Sequence, residues 1–161
     1  IRTFQAHGFV CKLLATAKAA EGGVCAYIEP TLVDSHELEA AVPKNFNLIT
    51  YSGEKIGRHS FFGQGAGRYP TAFNAVEDCL DILAGKSGFY TGVMQPTAVR
   101  NGDEAHPYYV RTACPDEFLR GITVERWGEG VVTACVSVEE MLRWSREQLK
   151  KDPACFVAGI R

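Results

Sequence analysis

Apolar and polar positions alternate along the first part of this chain in the pattern of β-strands. Four short β-rich runs, each bounded by glycine or polar turn residues, predict two pairs of neighbouring strands at residues 8–17, 24–33, 46–51 and 56–62. A Gly-Gly turn at 22–23 joins the first pair, and a Ser-Gly-Glu turn at 52–54 joins the second. Between the pairs, the sequence predicts a short helix over 37–42 that Pro43 ends.

A helical spacing replaces the strand pattern in the middle of the chain. Six apolar positions recur at intervals of three and four and so share one helix face: Ala72, Phe73, Val76, Cys79, Leu80 and Leu83. Gly85 suits the left-handed position that follows a helix end. Residues 85–104, with an apolar interlude at 89–94, are predicted to connect this part to a second module.

Strand patterns return in the last third of the chain. Residues 107–113 predict one strand, and Gly-Glu-Gly at 128–130 predicts a hairpin between 122–127 and 131–136. Ser137 and Glu140 form a capping box for a helix that runs to about residue 150, with four residues on its predicted inner face: Met141, Leu142, Ser145 and Leu149. Residues 155–160 predict a final strand.

Composition narrows the class of protein. Hydrophobic residues make up 46% and charged residues 22%, which is typical of a soluble, folded protein. The net charge is −2 and no stretch is strongly basic, so nucleic acid is not an expected partner. The apolar runs are too short to span a bilayer, and residues 1–20 do not follow the signal-peptide pattern. A cytoplasmic protein without a membrane partner is predicted.

Six cysteines raise the question of a disulfide framework or a metal site: Cys11, Cys25, Cys79, Cys114, Cys135 and Cys155. No two of them have the short spacing that metal sites and redox motifs use. Most lie in apolar strand or helix patterns, where a free thiol behaves as a small buried hydrophobe. We therefore predict reduced, structural cysteines and no metal ligands.

The glycine-rich segment 63–72 is the main candidate for chemistry. Three glycines at alternate positions, between a strand and a helix, let the backbone approach a ligand closely. Unpaired amides at the helix start, near residues 71–73, would favour negative or polar ligand groups. The spacing differs from the Rossmann fingerprint. A tight turn whose glycines only relieve crowding explains the spacing equally well.

Four segments, in order, carry a family resemblance: GFVCKLLA at 8–15, VCAYIEPTLV at 24–33, HELEAAV with NFN at 36–42 and 45–47, and FGQGAGRYPTA at 62–72. They resemble the later part of the catalytic domain of the homoserine dehydrogenases. The last segment is similar to that family's Gly-x-Gly-Ala-Gly-x-x-Pro-Thr-Ala loop. The resemblance covers residues 1 to about 84.

The resemblance implies a function for the parent protein. It implies NAD(P)-dependent, reversible hydride transfer between homoserine and aspartate semialdehyde, in threonine and methionine biosynthesis. It assigns cofactor contact to five residues: Gly63, Gly65, Ala66, Gly67 and Thr71. Preference for NAD or NADP stays open, because the residues that discriminate them belong to a Rossmann half that this sequence does not contain.

The same resemblance implies that this chain alone is inactive. The family's catalytic lysine and acidic residues lie upstream of the position that matches Ile1, so no catalytic residue is assigned here and no tightly bound cofactor is expected. Lys12 matches a strand lysine of the family, and a structural role is predicted for it.

Few other side chains invite a chemical role. The three histidines His7, His59 and His106 have no acidic or thiol partner nearby in sequence, so surface or loop roles are predicted, and His36 is predicted to cap or pack. Arg68 would either meet a carboxylate or phosphate or stay solvated. Packing roles are predicted for Trp127 and Trp144.

The last third resembles an ACT domain, a small ferredoxin-like fold that binds amino-acid effectors. Residues 114–121 leave no room for its usual first helix, so a truncated, degenerate module is predicted. The predicted fold class is α+β, with the end of a substrate and dimerisation domain over 1–85 and a linker with the ACT-like module over 86–161. A non-catalytic module for amino-acid sensing or dimerisation is the alternative function, and a homodimer or higher homo-oligomer is predicted in either case.

Overall fold

The protein, described by a computed structural model over residues 2–86 and 96–161, has an α+β fold. The described residues form the helices α1 (Arg2–Ala6), α2 (Arg68–Leu83), α3 (Glu117–Ile122) and α4 (Val138–Lys151), and a 3-10 helix at Leu38–Ala41. The strands are β1 (Phe9–Ala20), β2 (Gly23–Asp34), β3 (Phe46–Gly53), β4 (Gly57–Gln64), β5 (Ala98–Val99), β6 (Ala105–His106), β7 (Tyr108–Arg111), β8 (Thr123–Trp127), β9 (Gly130–Thr133), β10 (Val136–Ser137) and β11 (Phe156–Ile160). The predicted α+β class is confirmed. The apolar interlude predicted at 89–94 lies outside the described residues.

The chain folds into two compact units, one of residues 1–40 with 96–161 and one of residues 41–95. The first unit has a sheet in the order β1-β2-β11-β7-β9-β8, with β5 beside β2. Strands from both sides of the predicted 85/86 boundary therefore share one sheet, because β11 lies between β2 and β7. The predicted boundary at 85/86, between the substrate and dimerisation domain and the ACT-like module, stays a prediction.

The hairpin β1–β2 confirms the strand pair that the sequence predicts at the start of the chain. Its register runs without interruption from Phe9 opposite Asp34 to Ala20 opposite Gly23. Gly22 has φ 70° in the turn, a left-handed conformation that glycine adopts without steric cost. The hairpin therefore ends where the Gly-Gly pair predicts.

The elements from β7 onwards follow the order β7, α3, β8, β9, β10, α4, β11, in which the two-residue β10 pairs with β6 outside the main sheet. In the sheet β11-β7-β9-β8 all neighbours are antiparallel, which is the split β-α-β arrangement of ferredoxin-like folds. The segment 114–121, predicted to leave no room for the usual first helix, contains most of a short helix, α3. Asp116 accepts a hydrogen bond from the Leu119 amide and caps α3, so a helix of six residues forms in this short segment. Assignment as an ACT-like module stays a prediction.

Both faces of this sheet are packed. On one face, five buried residues form a cluster: Leu32, Tyr109, Trp127, Val132 and Ala158. Phe4 of α1 meets Tyr109 edge to face, with ring centroids 4.9 Å apart, and the exposed His7 ring stacks on Trp127 at 4.0 Å. The predicted packing role of Trp127 is confirmed.

Helices α3 and α4 cover the other face, where a second buried cluster consists of Tyr108, Val110, Leu119, Val136 and Met141. Ser137 caps α4 by accepting from the Glu140 amide at 3.3 Å, as the capping box predicts. The four residues predicted along one face of α4 do share a face, since all of them line one cavity, although Leu149 is exposed and Gln148 is buried. Gln148 is buried because its amide donates to Thr112 Oγ1 and to the carbonyl oxygen of Cys114.

All six cysteines are free thiols, and the structure describes each of them. The prediction that most are buried is wrong, because only Cys25 is buried and three are exposed: Cys79, Cys114 and Cys135. No cluster of three or more His, Cys, Asp or Glu side chains within residues 2–86 and 96–161 could hold a metal ion. None of the helices in the described part of the chain has the length and apolar character that crossing a membrane requires.

Asp116 ties α3 to α4, and Asp152 ties the end of α4 to the residues that follow β7. Burial raises the pKa of Asp116, but hydrogen bonds from the Leu119 amide and the Trp144 indole outweigh it and hold that pKa below its ordinary value. The Ala113 amide and the Thr112 hydroxyl, at 2.8 and 2.7 Å, lower the pKa of Asp152. Both carboxylates are therefore stabilised in the folded chain.

We expect these aspartates to make stability depend on pH on the acid side. A carboxyl whose folded pKa is lowered stabilises the fold above its unfolded pKa of about 3.9 and loses that contribution as pH falls further. Melting temperature should fall between pH 5 and pH 3, and D152N should flatten this slope while lowering stability at pH 7. Thermal scans across this range check it, with exposed Asp78→Asn as the control; an unchanged slope in D152N would contradict the assignment.

Candidate cofactor loop and a buried carboxylate–histidine pair

The glycine-rich loop lies in the second unit, between the hairpin β3–β4 and α2. The hairpin has a continuous register from Phe46 opposite Gln64 to Gly53 opposite Gly57. The rings of Phe46 and Phe62 stack with their centroids 4.9 Å apart. This contact stabilises the end of the hairpin next to the loop. The strands predicted at 46–51 and 56–62 are thus confirmed, each with extra residues at its ends.

Side chains of β3 and the segment before it hold the loop. Asn45 donates to the carbonyl oxygen of Ala66 at 3.0 Å. A Cβ on Gly65 would lie 2.3 Å from Asn47 Nδ2, so glycine lets this side chain approach the loop. Gly67 has φ 116°, a backbone conformation that residues with a side chain rarely adopt. The loop geometry therefore requires glycine at 67, and glycine at 65 allows the Asn47 contact.

Helix α2 begins at Arg68, earlier than the apolar spacing predicts. Gly67 is its N-cap residue, and no side chain caps this end. The Thr71 amide donates to the carbonyl oxygen of Gly67 at 3.1 Å. The prediction of unpaired amides near residues 71–73 is therefore wrong, and the helix start with its uncapped amides lies at Arg68 and Tyr69 instead.

Arg68 and Tyr69 form a pair of exposed side chains at this helix start. The guanidinium of Arg68 donates to the Tyr69 hydroxyl at 2.8 Å and lies 4.6 Å from the centre of its ring. The exposed Arg68 side chain agrees with the solvated alternative, and its contact with a carboxylate or phosphate stays a prediction. The pairing holds a positive charge beside the loop.

The five predicted cofactor contacts are contiguous in space. Gly63 lies in β4 opposite Asn47, Gly65 to Gly67 form the loop, and Thr71 lies in the first turn of α2. Their role in cofactor binding stays a prediction. His59, in the same unit, lies with Nε2 2.9 Å from the carbonyl oxygen of Ile56 in the β3–β4 turn.

A second candidate site, in the first unit, was missed by the sequence reasoning. Nε2 of His106 lies 2.9 Å from Oε1 of Glu29, and both side chains are buried. The surface or loop role predicted for His106 is therefore wrong. The two residues are 77 positions apart in the chain, so only the pairing of strands brings them together.

Aromatic rings and the sheet backbone enclose this pair. The rings of Tyr27 and Tyr108 have centroids 6.1 and 4.5 Å from that of His106. Gly159 of β11 passes so close that an added Cβ would lie 2.5 Å from Glu29 Oε1 and 2.7 Å from His106 Nε2. One signal in the sequence was available, since a glycine in an apolar strand often marks a close approach of backbone to another group.

This architecture defines a class of two-unit α+β protein. One unit is a sheet with helices packed on it, and the other presents a glycine-rich loop between a strand and a helix. The sequence model of the family described as homoserine dehydrogenase matches residues 1–80. The chain belongs to the homoserine dehydrogenase family.

Individual relatives agree with the family match. Homoserine dehydrogenase of Bacillus subtilis (strain 168) is 33% identical over 76 residues, which are 47% of this chain and 18% of the relative. That of Lactococcus lactis subsp. lactis (strain IL1403) is 30% identical over 120 residues, or 70% of this chain and 28% of the relative. The chain thus matches less than a third of the length of these relatives.

Solved structures share the fold along the whole chain. The homoserine dehydrogenase from Thiobacillus denitrificans superposes with a TM-score of 0.65 at 21% identity, covering 100% of this chain and 44% of that one. The Staphylococcus aureus enzyme at pH 6.5 gives a TM-score of 0.57 at 21% identity and covers 43% of that chain. At this identity the likeness establishes the fold.

Proposed function

We propose that this chain supplies part of the substrate domain, with the cofactor-facing loop, of an NAD(P)-dependent homoserine dehydrogenase. The proposed reaction is reversible hydride transfer between homoserine and aspartate semialdehyde. The observation that supports it most is the glycine loop of the family motif, held by Asn45 and Asn47 at the uncapped start of α2. One relative, from Pseudomonas canavaninivorans, is named an NAD(+)-dependent homoserine dehydrogenase.

The loop residues fit the contact proposed for them. A Cβ on Gly65 would overlap Asn47, so the loop presents backbone without side chains at this point. Gly63, Gly65, Ala66 and Gly67 would face the nicotinamide end of the cofactor through their backbone groups. Thr71, one turn into α2, would add a hydroxyl. When bound, the nicotinamide supplies or accepts the hydride.

The chain's own contribution to the reaction is positioning. Asn45, just before β3, bonds to the Ala66 carbonyl oxygen, and Asn47 of β3 lies against Gly65, so both limit movement of the loop. Small displacements of groups that position a substrate reduce the reaction rate. Arg68, exposed at the helix start, would place a positive charge beside bound anionic groups. We assign no proton transfer to these residues, and we propose that the chain by itself does not turn over homoserine or hold a cofactor tightly.

A chimera tests the proposed function. Residues 1–80 would replace the matching segment of the Bacillus subtilis enzyme, and homoserine-dependent reduction of NAD+ and NADP+ would be followed by absorbance. We expect activity in the chimera, and a loss of about tenfold in kcat/KM with Gly65→Ala, because the added Cβ would lie 2.3 Å from Asn47 Nδ2 and would disturb this contact with the loop.

The matched control is Glu77→Gln, on the exposed face of α2 outside the loop, which should leave the chimera's activity unchanged. Circular dichroism would establish that each chimera is folded. A folded chimera without activity, or a Gly65→Ala chimera as active as its parent, would overturn the assignment of the loop.

The ferredoxin-like order of β7 to β11 favours a second function, a non-catalytic module for amino-acid sensing or dimerisation. In this proposal the chain forms a homodimer and binds a free amino acid in the cytoplasm without catalysis. An inactive but folded chimera, together with a 161-residue chain that sediments as a dimer, would favour this function over the enzymatic one.

A further inference from the structure

A cavity of about 250 Å³ lies in the first unit between α4 and the strands β2 and β11. Its walls are mostly apolar and include Ile28, Met141, Leu149 and Phe156. This volume is at the small end of ligand pockets, which suits a short aliphatic group and excludes a dinucleotide. The cavity contains no residue of the glycine loop and is independent of the function proposed above.

The floor of this α4–β2 cavity is polar and buried. Glu29 is 7% exposed and Tyr108 is 1% exposed, and both line the cavity. One oxygen of Glu29 is engaged by His106, and a carboxylate has a second oxygen that accepts hydrogen bonds. The Tyr108 hydroxyl lies beside the Glu29 carboxylate and has no partner of good hydrogen-bond geometry among the described residues, so its oxygen is free to accept. Buried polar groups of this kind normally have partners, so the floor has capacity for a ligand.

The charge of the cavity selects the kind of ligand. Its described lining includes no lysine or arginine, whereas Glu29 is acidic. Lys18 and Arg161 have other partners. Lys18 pairs with Glu104, and Arg161 donates to the Tyr27 hydroxyl at 2.7 Å. Burial, the charge of Glu29 and a hydrogen bond with its carboxylate raise the pKa of the Tyr108 hydroxyl, which therefore stays protonated and neutral. A buried carboxylate beside a neutral hydroxyl favours a cation that donates hydrogen bonds.

We propose that the α4–β2 cavity binds a small aliphatic amine, with Glu29 as the counter-ion of its ammonium group and the Tyr108 hydroxyl as a second hydrogen-bond acceptor. The alkyl chain lies against the apolar walls of α4 and β11. An ammonium group has three donors and fits both oxygens on the floor. Aliphatic alcohols fit the same walls without the charge, and carboxylates are repelled by Glu29.

The test is a titration of the 161-residue chain with n-butylammonium chloride, followed by amide chemical shifts in NMR. We expect saturable shifts at residues that line the cavity. 1-Butanol, which has the same chain without a charge, should bind about tenfold more weakly, because hydrogen bonds to charged groups are stronger than neutral ones. Sodium butyrate should cause no saturable shift.

Variants separate the cavity from the rest of the surface. Glu29→Gln should weaken binding by about tenfold or more, and Tyr108→Phe by a smaller factor. Ser145→Met fills the cavity from the α4 wall without touching its floor and should abolish binding, which keeps the test decisive if Glu29→Gln is poorly folded. The exposed Glu125→Gln, on β8, is the matched control and should bind as the parent does.

Two results would overturn the proposal. One is a set of amide chemical shift changes that are confined to residues near exposed carboxylates, or that are equal for butylammonium and butyrate. The other is binding that survives Ser145→Met in a folded variant. Neither result bears on the activity of the chimera, so failure of this proposal is distinct from failure of the proposed function.

Discussion

Replacing Gly159 with alanine is expected to lower the free energy of unfolding by about 3 kcal/mol, at the upper end for overpacking of a buried site. An added Cβ would lie 2.5 Å from Glu29 Oε1 and 2.7 Å from His106 Nε2. Neither group can turn away easily, because they are bonded to each other and enclosed by aromatic rings. Urea unfolding followed by circular dichroism measures the loss.

Gly121→Ala is the matched control for this variant. Gly121 lies in α3, and an added Cβ there meets nothing within 4 Å. Alanine in a helix is favoured over glycine, so the control should be neutral or stabilised by up to about 1 kcal/mol. Equal stabilities for the two variants would show that the strand at Gly159 does not approach the buried pair closely.

His106→Ala is expected to have the second large effect, a loss of about 3–5 kcal/mol in the free energy of unfolding. Removing the imidazole leaves the carboxylate of Glu29 buried without its hydrogen-bond partner. Such a carboxylate has lost its solvation by water and no longer has the hydrogen bond from His106 that offsets this loss. The measurement is again denaturant unfolding at neutral pH, with His36→Ala, an exposed histidine that bonds through its backbone amide, as the control.

A double variant shows whether the loss comes from the unpaired charge. Replacing Glu29 and His106 together with leucine removes both polar groups and should recover most of the stability that His106→Ala loses, since apolar replacements of buried pairs are often tolerated. A double variant as unstable as His106→Ala would point to packing around the imidazole as the cause instead.

Local patterns in the sequence predict the strands and helices well where each signal lies within a few residues. The Gly-Gly turn at 22–23, the hairpin at 128–130 and the capping box at Ser137 are all found in the structure. The short helix α3 was missed because it has only six residues, too few for apolar spacing to indicate a helix.

Long-range pairing explains what the sequence did not predict in the fold. β11 pairs with β2 in parallel and with β7 in antiparallel orientation, and no turn or spacing signals such pairing. The predicted modules are therefore consecutive segments of the chain, whereas the first compact unit combines residues 1–40 with 96–161. The sequence does not indicate the partner of His106 for the same reason, since Glu29 is 77 positions away in the chain.

The candidate sites divide in the same way. The glycine loop was found because its residues are contiguous in sequence and resemble a family motif. Its supporting contacts from Asn45 and Asn47 depend on the β3–β4 hairpin and required the structure. The α4–β2 cavity, assembled from β2, β7, α4 and β11, has no contiguous signal in the sequence.

The position of β11 in the middle of the sheet determines when this unit can form during synthesis. The ribosome makes β1 and β2 before β7, yet the strand that joins them to β7 follows only after α4. At about 5–20 residues per second, the edge of β2 stays open for several seconds of translation before residues 156–160 emerge. During that interval a chaperone or the hairpin itself must shield an unpaired strand edge, and a stalled ribosome would leave it exposed.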